Sequence, residues 1–365
     1  MKVNKIVILG TVGVPANYGG FETLTENLVK YHDANTRTEV LTVYCSSKSY
    51  PAQSTSYLSA QLRYIPLNAN GAQSIPYDIW SLFSAIWHRQ QVILLLGVSG
   101  AIALPLVRLL SSARIVTNID GIEWRREKWQ GFAKRFLRCS EKMAVRFSDE
   151  VIADNGAIAD YVQESYGVKA HVIAYGGDHA LAANAASVAE YALPEEFAFS
   201  VCRIEPENNI HLILAAFSKL ATLPLVIVGN WKNSEYGQAL RKEYASNSRL
   251  FLLDPIYDLG KLKTLRAQAT IYIHGHSAGG TNPSLVEAMH FGRPVLAFDC
   301  NFNRSTTEDQ ALFFSSENEL ATLVEKTPLE VLKSNGETMQ AIAARRYTWQ
   351  IVAQQYFQLI LQAQH

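Results

Sequence analysis

The segment His274-Gly-His-Ser-Ala-Gly-Gly-Thr-Asn-Pro-Ser-Leu-Val-Glu287 has residue types and spacing suited to holding a charged ligand. Asn282 is the expected N-cap of a helix, and Pro283 suits its first position. A helix start crowded with Gly279, Gly280, Thr281, Asn282 and Ser284 offers backbone N–H groups to an anion, and the helix dipole favours one there. Glu287 lies about one turn inside the helix. It can accept hydrogen bonds from sugar hydroxyls while a phosphate sits on the amides, or it can serve the helix dipole alone. His274 and His276 can face a substrate or serve the packing. The pattern suits a nucleotide-sugar better than a bare phosphate.

Three further groups of residues can carry chemistry. Gly10-Thr-Val-Gly-Val-Pro-Ala-Asn-Tyr-Gly-Gly-Phe-Glu-Thr23 follows an apolar run. Its glycines match neither a dinucleotide fingerprint nor a P-loop. Gly13, Gly19 and Gly20 can let a pyrophosphate or sugar approach the backbone, or they can simply close a tight turn. Arg203, in Cys202-Arg-Ile-Glu-Pro-Glu-Asn-Asn209, can clamp a diphosphate with its planar fork or pair with Glu205 or Glu207. Asp120, Glu123 and Arg125 follow another apolar run. The two acids can orient or deprotonate an acceptor hydroxyl, and Arg125 can contact the acceptor. An Asp-Gly turn is the plainer reading of Asp120.

Apolar runs predict strands over 5–9, 39–43, 62–65, 92–96, 114–118, 150–153 and 170–173. Amphipathic stretches between them predict helices over 21–31, 75–89, 101–110, 132–147 and 157–166. A second series has strands over 197–203, 223–228, 250–253, 270–274, 295–298 and 311–314. Its helices fall over 210–221, 234–246, 260–267, 283–290, 317–325 and 328–344, and a last amphipathic helix follows Trp349. Such alternation means two α/β domains with parallel sheets, over 1–178 and 179–345, and ligands outside the strands' carboxyl ends. If those edges face each other, the cleft between the domains holds the site.

Bulk properties narrow the function. The 365 residues are 48% hydrophobic and 18% charged, an ordinary globular composition with room for two cores. Lys+Arg and Asp+Glu balance at 33 each, which gives no reason to expect nucleic acid as a partner. Four scattered cysteines and no signal peptide lead to the expectation of a cytoplasmic protein with reduced thiols and no zinc site. The apolar stretch 92–107 is shorter than the ~20 residues a membrane span needs, and Gly97, Gly100 and Pro105 interrupt it.

Between 132 and 147, Phe132, Phe136, Cys139, Met143 and Phe147 share one helix face. Lys134, Arg138, Lys142 and Arg146 form a ridge beside it, with Arg135 in the same arc and Trp124, Arg126, Lys128 and Trp129 upstream. Such a helix can rest on an anionic bilayer, hold an acceptor's phosphates, or bury its apolar face as core.

These residues resemble a retaining glycosyltransferase of the GT-B fold in family 4, and more narrowly a bacterial rhamnosyltransferase-like subgroup with a DUF1972-type N-terminal domain. The subgroup's signatures are Gly13 to Thr23, Asp120-Gly-Ile-Glu-Trp124, Arg203 to Asn209, and His274 to Glu287. The wider family's Glu-x7-Glu motif would place its first acid where this chain has Gly279. Its Arg-x4-Lys pair would place its lysine where this chain has Asn208. The resemblance implies two Rossmann-like domains facing across a cleft, with a C-terminal helix over 346–365 crossing back to the first. It implies Arg203, Glu287 and Asp120 in catalysis. Donor binding would use Gly13, Gly19, Gly20, Asn208, His276, Gly279, Gly280, Thr281, Asn282 and Ser284. The implied donor is a nucleotide-sugar, dTDP-L-rhamnose foremost. The implied acceptor is a lipid-diphosphate-linked saccharide at the inner membrane surface, for capsule, exopolysaccharide or O-antigen. No metal or other cofactor is expected.

Two alternatives stay open: a nucleotide-sugar epimerase of the same fold, and a non-catalytic nucleotide-sugar-binding protein. A dinucleotide oxidoreductase fails on the glycine spacing.

Overall fold

A computed structural model describes residues 4–17, 19–35, 38–125 and 130–362. The chain divides into two compact units, Met1–Ala174 with Trp349–His365, and Tyr175–Thr348.

In chain order, unit 1 contains β1 (Lys5–Leu9), α1 (Gly20–Ala34), β2 (Val40–Ser46), β3 (Ser56–Tyr57), β4 (Ala60–Ile65), α2 (Ser74–Trp87), β5 (Val92–Leu96), α3 (Leu104–Leu110), β6 (Arg114–Asn118), α4 (Gly131–Phe147), β7 (Glu150–Ala153), α5 (Gly156–Tyr166) and β8 (His171–Val172). Its sheet order is β3-β4-β2-β1-β5-β6-β7-β8, with only β3 antiparallel. The central β5, Val-Ile-Leu-Leu-Leu, is buried throughout, as expected for a parallel strand covered on both faces. The apolar stretch 92–107 thus becomes β5, a 3-10 turn and the start of α3, and none of the described helices is long and apolar enough to cross a membrane.

Unit 2 contains α6 (His179–Ala182), β9 (Ala198–Val201), α7 (Ile210–Lys219), β10 (Leu225–Val228), α8 (Glu235–Glu243), β11 (Leu250–Leu253), α9 (Leu259–Gln268), β12 (Ile271–His274), α10 (Pro283–Met289), β13 (Val295–Phe298), α11 (Asn301–Thr307), β14 (Leu312–Phe314), α12 (Glu317–Lys326) and α13 (Leu329–Arg346). Its six strands are all parallel, in the order β11-β10-β9-β12-β13-β14. The last helix, α14 (Trp349–Leu361), belongs to unit 1 and packs on α1.

Three features depart from the sequence expectation. The hairpin strand β3 has only two residues and no periodicity to reveal it. Helix α11, Asn-Phe-Asn-Arg-Ser-Thr-Thr, is made of poor helix formers apart from Arg304. Tertiary contacts hold it: Asn303 Nδ2 donates to Phe298 O at 2.8 Å, and Arg304 pairs with Asp299 at 2.6 Å. In α4 the buried side chains are Leu137, Ser140, Glu141, Ala144 and Val145. The stripe read from Phe132 to Phe147 is therefore not the core face. Phe132 is 82% exposed, Cys139 is exposed, and Phe136, Met143 and Phe147 are half-buried.

Candidate active site

In unit 2, two of the loops singled out in the sequence are laced together. The turn after β9 carries Arg203 to Asn209, and the loop after β12 carries Gly275 to Thr281. Asn209 Nδ2 donates to Gly275 O at 2.9 Å. The Ser277 N–H and hydroxyl both donate to Glu207 O at 2.9 Å. Asn208 donates from Nδ2 to Arg203 O at 2.7 Å, and its Oδ1 meets His276 Nδ1 at 2.8 Å. A Cβ on Gly275 would sit 2.2 Å from Asn208 O, so only glycine allows this approach. From the other side, Asn303 Nδ2 donates to His276 O at 2.8 Å.

The lacing uses the carbonyls of residues 275 and 276, and the chain then turns through Gly279 with φ +89°. No backbone carbonyl among the described residues accepts from the N–H groups of Gly279 or Gly280. Asn282 caps α10 as expected, its Oδ1 accepting from Ser284 N at 3.0 Å and from Ser284 Oγ at 2.9 Å. Thr281 is buried, while Gly279, Gly280, Asn282 and Ser284 are half-buried. Arg203 has a side chain 52% exposed and reaches Glu205 at only 3.9 Å. Such an exposed pair is worth about 0–1 kcal/mol, so the guanidinium is available to a stronger anion.

The buried position of Asn208, with both ends of its amide engaged, makes it a brace for the Arg203 turn rather than a diphosphate ligand. His276 is likewise buried against that brace. His274 is buried with its Nε2 unpartnered, and burial, aided by nearby His276, lowers its pKa to about 3. It is therefore a neutral packing residue stacked beside Tyr272.

Glu287 has partners that the sequence did not reveal. Arg266 of α9 pairs with its Oε2, and His179 of α6 meets its Oε1 at 3.2 Å. Burial pushes this carboxyl's pKa up, but the positive charge of Arg266 and the His179 contact outweigh it and hold the pKa below the usual value. Glu287 is thus a fixed carboxylate, its side chain still 16% exposed. Arg266 is buried, and among the described residues its Nε has no hydrogen-bond partner.

In unit 1, the Gly10–Thr23 loop is held by tyrosines. Tyr77 donates to Thr11 O at 3.0 Å, and Tyr50 donates to Pro15 O at 2.8 Å. Gly13 is buried against Cys45 and Tyr50. Glu22 folds back to accept from Asn17 N at 3.2 Å, packed over Gly19, and Gly20 opens α1 at the surface.

The turn after β6 holds Asp120 in the left-handed region, φ +59°, an uncommon conformation for any residue but glycine. Asn118 closes the turn. Its Oδ1 accepts from Asp120 N at 2.8 Å, and its Nδ2 donates to Tyr356 OH of α14 at 2.5 Å. Glu123 to Arg125 form a 3-10 turn; the Glu123 side chain lies outside the described residues, as do Arg126, Lys128 and Trp129. Arg125 is exposed and lies over the rings of Trp124 and Tyr161, at 5.3 and 5.0 Å. Beneath them Glu141 of α4, also absent from the sequence expectation, accepts from Trp124 Nε1 (3.3 Å), Tyr161 OH (2.7 Å) and Tyr166 OH (2.6 Å). A lone acid among aromatics in a basic helix was the only signal for it.

Comparison with known proteins identifies the two units. Residues 3–178 match the family model described as a domain of unknown function, DUF1972, and residues 187–346 match that of the glycosyl transferases group 1. No curated protein matches the sequence. Sucrose-phosphate synthase from Thermosynechococcus elongatus is similar in structure, with 16% identity, 98% of each chain covered and a TM-score of 0.79. Anabaena Alr3699/HepE in complex with UDP is 18% identical, with 98% of this chain and 99% of that one covered and a TM-score of 0.71. The trehalose-6-phosphate structure from E. coli bound with UDP-2-fluoro glucose is 10% identical, with 99% of each chain covered and a TM-score of 0.72. The protein is a glycosyltransferase of the GT-B fold, with a DUF1972 domain in its N-terminal half and a group 1 glycosyltransferase domain in its C-terminal half.

Proposed function

We propose that the protein is a retaining transferase that moves L-rhamnose from dTDP-L-rhamnose to a saccharide carried on undecaprenyl diphosphate, in the synthesis of a bacterial capsule, exopolysaccharide or O-antigen. The observation that supports it is the lacing in unit 2, which brings a half-exposed guanidinium to the same pair of loops as two unaccepted glycine amides. That combination suits the diphosphate of a leaving nucleotide. HepE, solved with UDP and with UDP-glucose, binds a pyrimidine nucleotide of the same chemical class. The rhamnosyl donor and the lipid carrier rest on the motif resemblance.

In this reaction the bond between the sugar's anomeric carbon and the diphosphate oxygen breaks. Arg203 and the amides of Gly279 and Gly280 stabilise the charge on the departing diphosphate. The acceptor hydroxyl attacks the same face and gives its proton to the leaving phosphate oxygen, so no protein nucleophile is consumed. Glu287, kept ionised by Arg266 and His179, accepts hydrogen bonds from sugar hydroxyls. In unit 1 Asp120 orients the acceptor hydroxyl, with Glu123 and Arg125 as further acceptor contacts; Gly19 and Gly20 give donor or acceptor close access to backbone, whereas Gly13, buried against Cys45 and Tyr50, shapes the turn instead. Charge stabilisation by these groups asks for no metal.

The test is turnover with dTDP-L-rhamnose and a lipid-diphosphate saccharide, preceded by a thermal-shift screen of nucleotide-sugars. A glycosylated lipid product is expected. Release of a free sugar or epimer without acceptor would assign an epimerase. Stabilisation by NAD(H) but by no nucleotide-sugar would overturn the reading.

A further inference from the structure

One layer of helices in unit 1 carries an apolar and basic surface that the candidate site does not use. Helix α3 packs between α2 and α4. Arg108 of α3 fixes this layer, donating from Nε to Phe147 O at 2.7 Å and pairing with Asp149 at 2.6 Å. On α2, Trp80 and Trp87 are 51% and 85% exposed; their spacing of seven puts them on one helix face. On α3, Leu106, Leu109 and Leu110 are 54%, 80% and 65% exposed, again one face by spacing. Helix α4 adds exposed Phe132 at its start. Large apolar side chains grouped on neighbouring helices mark an interaction surface.

The charges identify the partner. Helix α4 exposes Lys134, Arg135, Arg138, Lys142 and Arg146. Its only acid, Glu141, is buried, as is Asp78, the only acid of α2, and α3 has none. The three helices therefore present cations and apolar groups with no exposed carboxylate. Tryptophan, leucine and a basic ridge together fit the headgroup boundary of an anionic bilayer. A second copy of the chain meeting this face symmetrically would oppose one basic ridge with another.

We propose that the outer face of α2, α3 and α4 docks on an anionic phospholipid surface, the tryptophans and leucines entering the headgroup boundary and the α4 ridge pairing with lipid phosphates. This goes beyond the donor reading and does not depend on it.

The test is sedimentation of the full chain with vesicles of phosphatidylglycerol and phosphatidylethanolamine, against vesicles of phosphatidylcholine alone. Wild type should bind the first, not the second, and be released as salt rises. The pair Lys142→Glu and Arg146→Glu, and separately Trp87→Ser with Leu109→Ser, should each weaken binding about tenfold or more, with unchanged melting temperature. No binding by wild type, equal binding to both lipids, salt-independent binding, or unaltered binding by both variant pairs would overturn the proposal. A wild-type dimer in solution, lost in the Trp87→Ser/Leu109→Ser pair, would overturn it in favour of self-association.

Discussion

The loops after β12 and β6 both lie at the carboxyl ends of parallel strands, yet they are braced in opposite ways. The first is held chiefly by side-chain amides, those of Asn208, Asn209 and Asn303, with the ring of His276. The second sits over a buried acid, Glu141, which collects three donors onto one oxygen, and its Trp124 is flanked by its own Arg125 and by Arg138 of α4. A brace built of side-chain amides sets no carboxylate of its own against Arg203, which suits an anion. An acid under an aromatic turn fixes the shape of the loop bearing Asp120 without exposing its charge. The one carboxylate in α10, Glu287, is matched by Arg266 and His179. In our reading the same strand-end position thus serves a diphosphate in one unit and a hydroxyl acceptor in the other.

Variants in each loop can break that contrast. Arg203→Ala should lower kcat/KM about 10²–10³-fold with little change in unfolding free energy, because its ion pair with Glu205 is loose. Near-normal turnover would remove Arg203 from the diphosphate. Asp120→Asn should cost about 10²-fold in turnover with the lipid acceptor while leaving nucleotide-sugar affinity intact. A loss confined to donor binding, seen by calorimetry, would erase the division of labour between the loops.

Effects on stability separate the two braces further. Glu287→Ala strands the buried Arg266 charge and should cost about 3 kcal/mol in urea unfolding, besides its effect on turnover. Asn208→Ala frees the Arg203 turn from His276 and should cost about 1–3 kcal/mol, with a larger rise in donor KM than fall in kcat. A further effect is in pH. His274 stays neutral in the folded protein down to about pH 3, whereas in the unfolded chain it takes a proton below about 6.5. The unfolded state therefore binds the extra proton, and stability falls as pH drops through that window, by up to ~1.4 kcal/mol per unit. His274→Phe should flatten the slope between pH 6.5 and 5; an unchanged slope would mean another group dominates.

Much of this was legible beforehand. Strand β5, the parallel alternation, the Asn282 cap and the Gly-rich loops follow from local periodicity and turn chemistry, which need only neighbouring residues. Helix α4 shows the limit. Its amphipathic stripe from Phe132 to Phe147 was visible, but the turns after β5 and β6 and helix α3 cover the adjacent arc of Leu137, Ser140, Glu141 and Ala144. A hydrophobic period states that a face exists; the packing partner decides which face is covered. Ser140 shows why, since its hydroxyl donates to Val98 O at 2.5 Å and so belongs inside despite its polarity.

By itself the amino-acid order determined the two alternating series, the glycine turns between strand and helix, and the positions of Arg203, Asp120 and Glu287 at strand ends or helix starts. These are short-range consequences of backbone sterics and side-chain period. Only the tertiary structure decided what surrounds them: Arg266, 21 residues from Glu287; His276, 68 residues from Asn208; Tyr356, 238 residues from Asn118. Such pairings depend on which strands become neighbours in a sheet, and no local pattern in the chain encodes that distance.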